Sequence, residues 1–287
     1  MIMLETIKKI FWVSRPISWL NTAYPFAAGY IISGGESIPL LLIATLYFLI
    51  PYNILLYGIN DVFDYESDIK NPRKGGIEGM REQKEFHPTI IRYAILLNIP
   101  FLVYLFVVGS AMSNIVLAIV IFSVLAYSIA KLRFKERPLI DSITSSAHFV
   151  GPLVFALSVV QFESSQLAII VAFFLWGMAS HAFGAIQDII PDRAGHLSSI
   201  ATVLGARKTV WFSLVLYIAA IIIMLTHGIA GMIVGVAGLV YPLILLPYLR
   251  VNDHTSAQTN KAWRQFIWLN LFTGFVVTIV LIISQLE

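Results

Sequence analysis

Residues 39–68 read PLLLIATLYFLIPYNILLYGINDVFDYESD. The first part of this stretch, residues 39–60, is almost wholly apolar and is long enough to cross the hydrocarbon core of a bilayer as a helix. Three aspartates then follow in quick succession, at the point where such a helix should end. The stretch therefore predicts a membrane helix that carries a cluster of carboxylates at one end.

The composition extends this interpretation to the whole chain of 287 residues, of which 58% are hydrophobic and 12% are charged. Soluble domains carry about 25% charged residues. The absence of cysteine excludes disulfides and thiolate metal sites. We predict an all-α polytopic membrane protein, a single domain over 1–287 that forms one bundle and has no removable signal peptide. Nine transmembrane helices are predicted, at residues 17–33, 39–60, 89–109, 112–131, 139–160, 166–187, 207–227, 229–249 and 263–284.

The basic residues are concentrated at the N-terminus and on alternate connectors between these helices. All 19 Lys and Arg lie at the N-terminus, or on or within a few residues of the connectors 65–88, 131–138, 188–208 and 250–264. The positive-inside rule then predicts that these segments face the cytoplasm of a bacterial cell membrane and that the C-terminus faces outwards. The basic residues also suit anionic membrane lipid, and beyond charge nothing indicates nucleic acid binding.

The aspartates of the opening stretch form the first acidic motif. Asp61, Asp64 and Asp68 occupy positions i, i+3 and i+7, which share one face of a helix. Like charges so placed repel one another unless a cation lies among them. Carboxylates without His or Cys beside them are ligands that suit Mg²⁺, which commonly takes substrate phosphates as well.

A second acidic motif follows the sixth predicted helix. Asp188 and Asp192 are four residues apart and share a face if the helix continues past Pro191, whose ring disfavours normal helix hydrogen bonding. Both motifs are predicted at the same depth on the cytoplasmic side. If they face one another across a bundle, they predict a site that holds more than one Mg²⁺ and clamps a diphosphate.

A solvated helix end would also account for a single aspartate at a membrane interface. Asn53 and Asn60 argue against this for the first motif, because they extend the same face one and two turns deeper into the apolar stretch. Amides within a membrane helix usually face a cavity or a partner helix. The polar face therefore predicts the wall of a site. His148 and His181 also fall within predicted spans, where a hydrogen-bonded structural histidine and a proton acceptor are both open interpretations.

Basic side chains accompany both motifs, and positive-inside charge alone accounts for any one of them. Three stand out by position as partners for a phosphate leaving group: Arg73 and Lys74 in the Gly-rich loop after the first motif, and Lys131 at the end of the fourth helix. Lys131 is predicted to share one helix face with Tyr127, which lies one turn earlier. The remaining polar candidates are Arg15, Asn21, Tyr127 and Arg193.

Together, three motifs resemble those of the UbiA-type intramembrane prenyltransferases. NDVFDYESD resembles their N-D-x-x-D-x-x-x-D motif, DIIPD resembles their second D-x-x-x-D motif, and YSIAK is similar to their Y-x-x-x-K motif. The resemblance covers the whole chain, since that family has nine membrane helices with acidic motifs on the second and sixth. Within the family, RPISWLNTAYPF and AFGAIQDIIPDRAGHLSSIAT are most similar to stretches of bacterial lycopene elongases, which act in C45 and C50 carotenoid biosynthesis.

The resemblance implies a Mg²⁺-dependent transfer of a prenyl group, dimethylallyl, from its diphosphate to a lipophilic acceptor, lycopene. It implies that five aspartates hold Mg²⁺ and the prenyl diphosphate, namely Asp61, Asp64, Asp68, Asp188 and Asp192. It also implies that Asn60 lines the pocket. Five further residues would lie at or near the diphosphate: Arg15, Asn21, Arg73, Tyr127 and Lys131. Some family members have an acid four residues after the second motif, where this chain has His196. The number of metal ions is therefore left open.

Other functions compete with this interpretation. Within the family, the acceptor is open between lycopene, an aromatic ring of a quinone precursor and a lipid. A membrane transporter, from a different class, predicts polar residues through the whole bilayer and broken helices in both halves. The polar residues here stay at the cytoplasmic end. A non-catalytic scaffold would leave both acidic motifs unexplained.

Overall fold

A computed structural model describes residues 2–69 and 82–286, and these residues are helical without a strand. Short 3₁₀ turns link several of the helices. The α-helices are α1 (Ile2–Val13), α2 (Trp19–Ile32), α3 (Ile38–Leu49), α4 (Pro51–Asn53), α5 (Ile59–Asp68), α6 (His87–Val108), α7 (Ala111–Ser128), α8 (Ile140–Val160), α9 (Leu167–Ile186), α10 (Ile189–Ala194), α11 (Ile200–Leu204), α12 (Ala206–Leu225), α13 (Gly228–Gly238), α14 (Val240–Leu245) and α15 (Asn260–Leu286).

The predicted all-helical membrane fold is confirmed. Within the described residues, 8 helical segments are long and apolar enough to cross a membrane. They are Ile38–Glu66, Lys84–Val108, Ala111–Ser128, Ile140–Val160, Ser164–Ile186, Ala206–Leu225, Gly228–Tyr248 and Asp253–Ser284. The first predicted span corresponds to α2, which has 14 residues, whereas a perpendicular crossing needs about 20. The count of nine and the orientation of the N-terminus stay predictions.

The segment that leads to the first acidic motif is a broken helix. Pro51 interrupts it after α3, because proline has no N–H to continue the ladder. Buried amides bind the carbonyls near the break: Asn53 Nδ2 donates to Phe48 O at 2.8 Å and to Leu49 O at 3.0 Å, and Asn98 Nδ2 donates to Pro51 O at 2.7 Å. A π-helical turn, Ile54–Gly58, then joins α4 to α5. The rotation of α5 therefore depends on a local irregularity that helical periodicity does not contain.

The chain divides into two compact units, so the organisation as a single domain stays a prediction. Unit 1 comprises Met1–Phe134 and His148–Phe162. Its core contains buried rings of Phe26, Phe48 and Phe155, whose centroids lie 5.4–6.0 Å apart. The π-helical turn packs tightly against α6, because a Cβ added at Gly58 would lie 2.9 Å from Ile90 Cγ2.

Unit 2 comprises Lys135–Ala147 and Glu163–Glu287, and α9 packs against α12 within it. A cluster of aromatic side chains forms part of its core. Tyr217 and Tyr241 stack with ring centroids 5.4 Å apart, and Trp176 stacks on Phe266 at 5.8 Å. Ser180 and Tyr217 also share a hydrogen bond of 2.9 Å between their hydroxyl oxygens. This core supports the C-terminal half of α9, which leads to the second acidic motif.

Candidate active site

The first acidic motif lies on a continuous helix, as its spacing predicts. Helix α5 carries Asp61, Asp64 and Asp68, whose exposed fractions are only 5%, 8% and 7%. Buried carboxylates are costly unless cations or hydrogen-bond donors compensate them. The carboxylates of the motif therefore need compensating cations or donors, and a solvated helix end does not describe them.

Arg15 is one such cation. Its Nη2 donates to Asp61 Oδ1 at 2.5 Å, and its guanidinium carbon lies 4.3 Å from the centroid of the Tyr57 ring. Burial lowers the pKa of Arg15, but Asp61, Tyr57 and Asp68 together outweigh this effect and the pKa ends above its usual value. The Nε atom of Arg15 is buried without a hydrogen-bond partner among the described residues. A charged guanidinium with an unused donor suits an anionic oxygen such as that of a phosphate.

Arg133 is a second cation of the first motif, and the sequence pattern did not predict it. Its Nη2 lies 3.7 Å from Asp64 Oδ1, and its Nη1 donates to Phe63 O at 3.4 Å. It lies two residues beyond Lys131 in the same basic connector, and this position was the signal available in the sequence. Arg15 and Arg133 both adopt left-handed backbone conformations, with φ of 49° and 39°. Such conformations are unfavourable for non-glycine residues and occur often at functional sites.

The fourth predicted helix ends earlier than expected. Helix α7 stops at Ser128, whose Oγ donates to Asn60 Oδ1 at 3.1 Å, and Ile129 is extended. Lys131 therefore lies in a turn, and the prediction that it shares a helix face with Tyr127 is wrong. The physical reason is that the chain enters a strongly charged run here, and the turn bonds from Leu132 N and Arg133 N to Ile129 O replace the helical ladder.

The other predicted residues of unit 1 have varied surroundings. The Tyr127 ring meets His148 edge-on at 5.1 Å between centroids, and Asn21 lies half-buried on α2. Asn53 is fully buried and also donates to Thr22 Oγ1 at 2.7 Å, so its amide group stabilises the helix break. Arg73 and Lys74 lie outside the described residues. The contacts of these residues with a substrate stay predictions.

The second acidic motif does not continue α9. That helix ends at Ile186, and Asp188 is the N-terminal capping residue of the new helix α10. Asp192 N donates to Asp188 O at 2.9 Å, so the two residues are one turn apart, as predicted. Pro191 is tolerated because it lies in the first turn of α10, where backbone N–H groups have no helical partner. Both aspartates are half-buried.

The guanidinium of Arg193 forms hydrogen bonds with other residues of the protein. Its Nη1 donates to Asp253 Oδ2 at 2.6 Å, while Nε and Nη2 donate to Thr202 O at 3.2 and 2.7 Å. Asp253 in turn accepts from Ala206 N at 2.7 Å. These contacts connect α10 with the start of α12 and with the segment before α15, a role that the sequence pattern did not predict. The predicted contact of Arg193 with a diphosphate stays a prediction.

Unit 2 also contains a buried carboxylate that the sequence pattern did not predict. Asp141 is fully buried and accepts hydrogen bonds from Ser142 N and Ile200 N, both at 2.7 Å. Its Oδ2 lies 3.8 Å from His181 Nε2. Asp141 thus connects the start of α8 with α9 and with the start of α11.

The donor chemistry of the first motif fits Mg²⁺. In residues 2–69 and 82–286, no group of three or more His, Cys, Asp or Glu side chains converges closely enough to hold a metal ion by itself. Mg²⁺ does not require such a cage, because it is commonly held by one or two carboxylates together with water and substrate phosphates. Nearly buried carboxylates beside an arginine with an unused donor match this mode of binding.

Comparison with known proteins agrees with the motifs. The model of the UbiA prenyltransferase family matches residues 22–270. A lycopene elongase/hydratase of Corynebacterium glutamicum is 48% identical over 282 residues, covering 98% of each chain. A C(50) beta-cyclic carotenoids biosynthesis protein of Dietzia sp. is 44% identical and covers 96% of this chain and 65% of that protein.

Solved structures agree on the fold. A UbiA homolog from Archaeoglobus fulgidus bound to DMAPP and Mg²⁺ aligns with a TM-score of 0.68 at 19% identity, covering 94% of this chain and 99% of that chain. A digeranylgeranylglyceryl phosphate synthase aligns with a TM-score of 0.66 at 15% identity, covering 96% and 99%. The motifs, the family match and the relatives agree, and the chain belongs to the UbiA prenyltransferase family and is a prenyltransferase of the membrane.

Proposed function

We propose that this prenyltransferase transfers a dimethylallyl group from dimethylallyl diphosphate to the ends of lycopene, in C45 and C50 carotenoid biosynthesis. The observation that carries the proposal is the nearly buried first acidic motif with Arg15 and Arg133 against it. The names of the relatives at 44–48% identity support lycopene as the acceptor. The A. fulgidus homolog bound to DMAPP supports this donor.

We assign Mg²⁺ binding to the carboxylates of both acidic motifs, Asp61, Asp64, Asp68, Asp188 and Asp192. When bound, Mg²⁺ would neutralise the charge that develops on the diphosphate as it leaves. Arg15 fits a role in orienting the diphosphate, because its Nε is an unused donor and its Nη2 is held by Asp61. Arg73, Lys74, Tyr127 and Lys131 are proposed as further contacts, together with Asn21 and Asn60.

The apolar surroundings serve the second half of the reaction. Cleavage of the allylic C–O bond leaves a dimethylallyl cation, which water would capture at once. The predominantly apolar spans exclude water from its surroundings. The terminal alkene of lycopene then attacks the cation, a C–C bond forms, and the charge moves to a tertiary carbon of the acceptor. That cation either loses a proton to form an alkene or adds water to form an alcohol.

The test uses membranes that contain the full-length protein, Mg²⁺, labelled dimethylallyl diphosphate and one acceptor at a time: lycopene, an aromatic quinone precursor or a membrane lipid. We expect label in lycopene, and we expect Asp64→Asn to lower the rate about a hundredfold or more, because it removes a charge that organises the transition state. Glu66→Gln is the matched control, since Glu66 is exposed on the same helix and pairs with Lys84.

Label in the aromatic compound or the lipid, with none in lycopene, would refute the proposed acceptor. Equal rates for Asp64→Asn and Glu66→Gln would refute the proposed role of the first motif. Removal of Mg²⁺ with a chelator should stop the reaction, and added Mg²⁺ should restore it.

A further inference from the structure

We infer that Asp253 is a positioning residue for the second acidic motif and that it acts through Arg193. The inference deepens the proposed function and rests on its assignment of Mg²⁺ binding to Asp188 and Asp192. It concerns how these two carboxylates acquire a fixed direction, which the spacing of the motif does not provide by itself.

The second acidic motif depends on contacts outside its own helix. Helix α10 has only 6 residues, and isolated helices shorter than about 12 residues are marginal in water. Gly195 follows its last residue, and His196 then adopts a left-handed conformation with φ of 57°. The direction of Asp192 therefore depends on the elements that α10 contacts within unit 2, which include α11 and the 3₁₀ segment Asp253–Thr259.

The residues that contact Arg193 and Asp253 lie on either side of a helix break. In a continuous helix, Ala206 N would donate to Thr202 O, because these residues are four apart. The chain instead breaks at Gly205, whose φ of 77° favours glycine, and α12 begins at Ala206. The break separates one carbonyl and one N–H group that would otherwise bond to each other.

Arg193 and Asp253 bind these two groups and also pair with each other. Arg193 donates to Thr202 O through Nη2 at 2.7 Å and Nε at 3.2 Å, while Asp253 Oδ1 accepts from Ala206 N at 2.7 Å. Arg193 Nη1 donates to Asp253 Oδ2 at 2.6 Å. A Cβ added at Gly205 would lie 3.1 Å from Asp253 Oδ1, so the carboxylate approaches the break closely. A cation thus binds the end of α11 and an anion binds the start of α12, as the helix dipoles favour.

This arrangement fixes the last turn of α10. Arg193 directly follows Asp192 in the chain, and three hydrogen bonds from one planar guanidinium define its orientation. The side chains of Arg193 and Asp253 are 45% and 35% exposed, so water screens their attraction and the pair adds little to global stability. Its effect is on geometry. Arg193 therefore acts on the metal site through the backbone of α10, and not as a ligand of the diphosphate.

Binding of inorganic diphosphate to the purified full-length protein in detergent, with Mg²⁺ present, tests the inference without catalysis. Asp253→Asn is the decisive variant, because the asparagine oxygen still accepts from Ala206 N while its amide group cannot accept from Arg193. We expect the dissociation constant of diphosphate to rise about tenfold, the low end for residues that orient metal ligands, with little change in Tm.

Further variants separate positioning from a structural defect. Arg193→Gln should have the same effect as Asp253→Asn, and the double variant should add nothing, because both residues act through one contact. In a protein that already carries Asp188→Asn and Asp192→Asn, Asp253→Asn should weaken binding no further. Arg207→Gln is the control, because Arg207 is exposed in the first turn of α12, next to Ala206.

Unchanged diphosphate binding in Asp253→Asn would overturn the inference. Tighter binding would overturn it too, because a released Arg193 would then be a direct ligand of the diphosphate. Equal weakening with and without the two motif aspartates would indicate a structural defect and would also overturn it. None of these results affects the proposed acceptor. A wild-type protein that binds no diphosphate with Mg²⁺ would overturn the inference together with the assignment on which it rests.

Discussion

Arg15 and Arg133 show how single residues adapt to the first acidic motif. Both hold unfavourable left-handed backbone conformations, and both direct a guanidinium to a nearly buried aspartate. The pairing partly neutralises charges whose burial would otherwise destabilise α5. The Tyr57 ring also lies against the guanidinium of Arg15. Among the described residues, the Nε atom of Arg15 has no hydrogen-bond partner.

Arg15→Gln tests whether this arginine binds the donor. We expect kcat/KM for the prenyl diphosphate to fall about 10- to 100-fold, because a hydrogen bond between charged groups contributes about 1.5–3 kcal/mol. Steady-state kinetics in detergent or liposomes measures this, with Arg92→Gln as the control, since Arg92 lies on α6 in a surface groove with Pro88 and Ile91. Equal effects of the two substitutions would contradict a specific role for Arg15.

The broken helix from α3 to α5 shows how an element is shaped by partners distant in the sequence. Pro51 removes one hydrogen bond of the helical ladder, and the amides of Asn53 and Asn98 bind carbonyls around the break. In an apolar environment no water is present to donate hydrogen bonds to those carbonyls, so the two side-chain amides donate them instead. The π-helical turn that follows determines the direction of the three aspartates on α5.

Asn98→Leu should destabilise this break with little change in side-chain volume. It leaves Pro51 O buried without its donor, which costs about 1–3 kcal/mol. Thermal unfolding of the purified protein measures the effect as a Tm lowered by several degrees, since about 1 kcal/mol corresponds to 2–4 °C at 150–250 residues. Asn114→Leu is the matched control, because Asn114 is only half-buried and its hydrogen bond to Phe106 O is exposed. A Tm for Asn98→Leu at or above that of the control would exclude the proposed role.

At the scale of the whole molecule, the distribution of Lys and Arg predicts both the orientation and an odd number of spans. The described residues contain 8 long apolar segments, and α2 with its 14 residues is the remaining candidate. Ser164 and Ala257 are exposed on connectors that the charge pattern assigns to opposite sides of the membrane. The termini should also lie on opposite sides if α2 crosses.

Because the chain has no cysteine, single cysteines report this topology directly. We expect a membrane-impermeant maleimide to label Ser164→Cys and Ser284→Cys in intact cells, and to label Glu5→Cys and Ala257→Cys only after lysis. Labelling of Glu5→Cys and Ser284→Cys from the same side would mean an even number of spans. The reversed pattern would mean the opposite orientation.

The helices and the acidic residues follow from local properties of the sequence. Apolar length identifies the spans, and five of the eight agree with the predicted bounds within three residues at both ends. The spacing of Asp61, Asp64 and Asp68 correctly places them on one helix. These features depend on neighbours along the chain, which is the information that periodicity carries. The early end of α7 and the new helix at Asp188 are local too, but they depend on turn geometry that periodicity does not report.

Tertiary structure decided which groups meet the charged side chains of the motifs and of Asp141. Arg15 and Asp61 are 46 residues apart, Arg133 and Phe63 are 70 apart, and Asp141 and Ile200 are 59 apart. Nothing in the local pattern distinguishes Arg133 from other basic residues of its connector, or Asp141 from an interfacial acid. Their partners depend on how helices pack, and packing depends on side-chain volume and close approach, as at Gly58 against Ile90. The sequence by itself therefore determined the class of protein and its acidic motifs, while the tertiary structure decided how their charges are compensated.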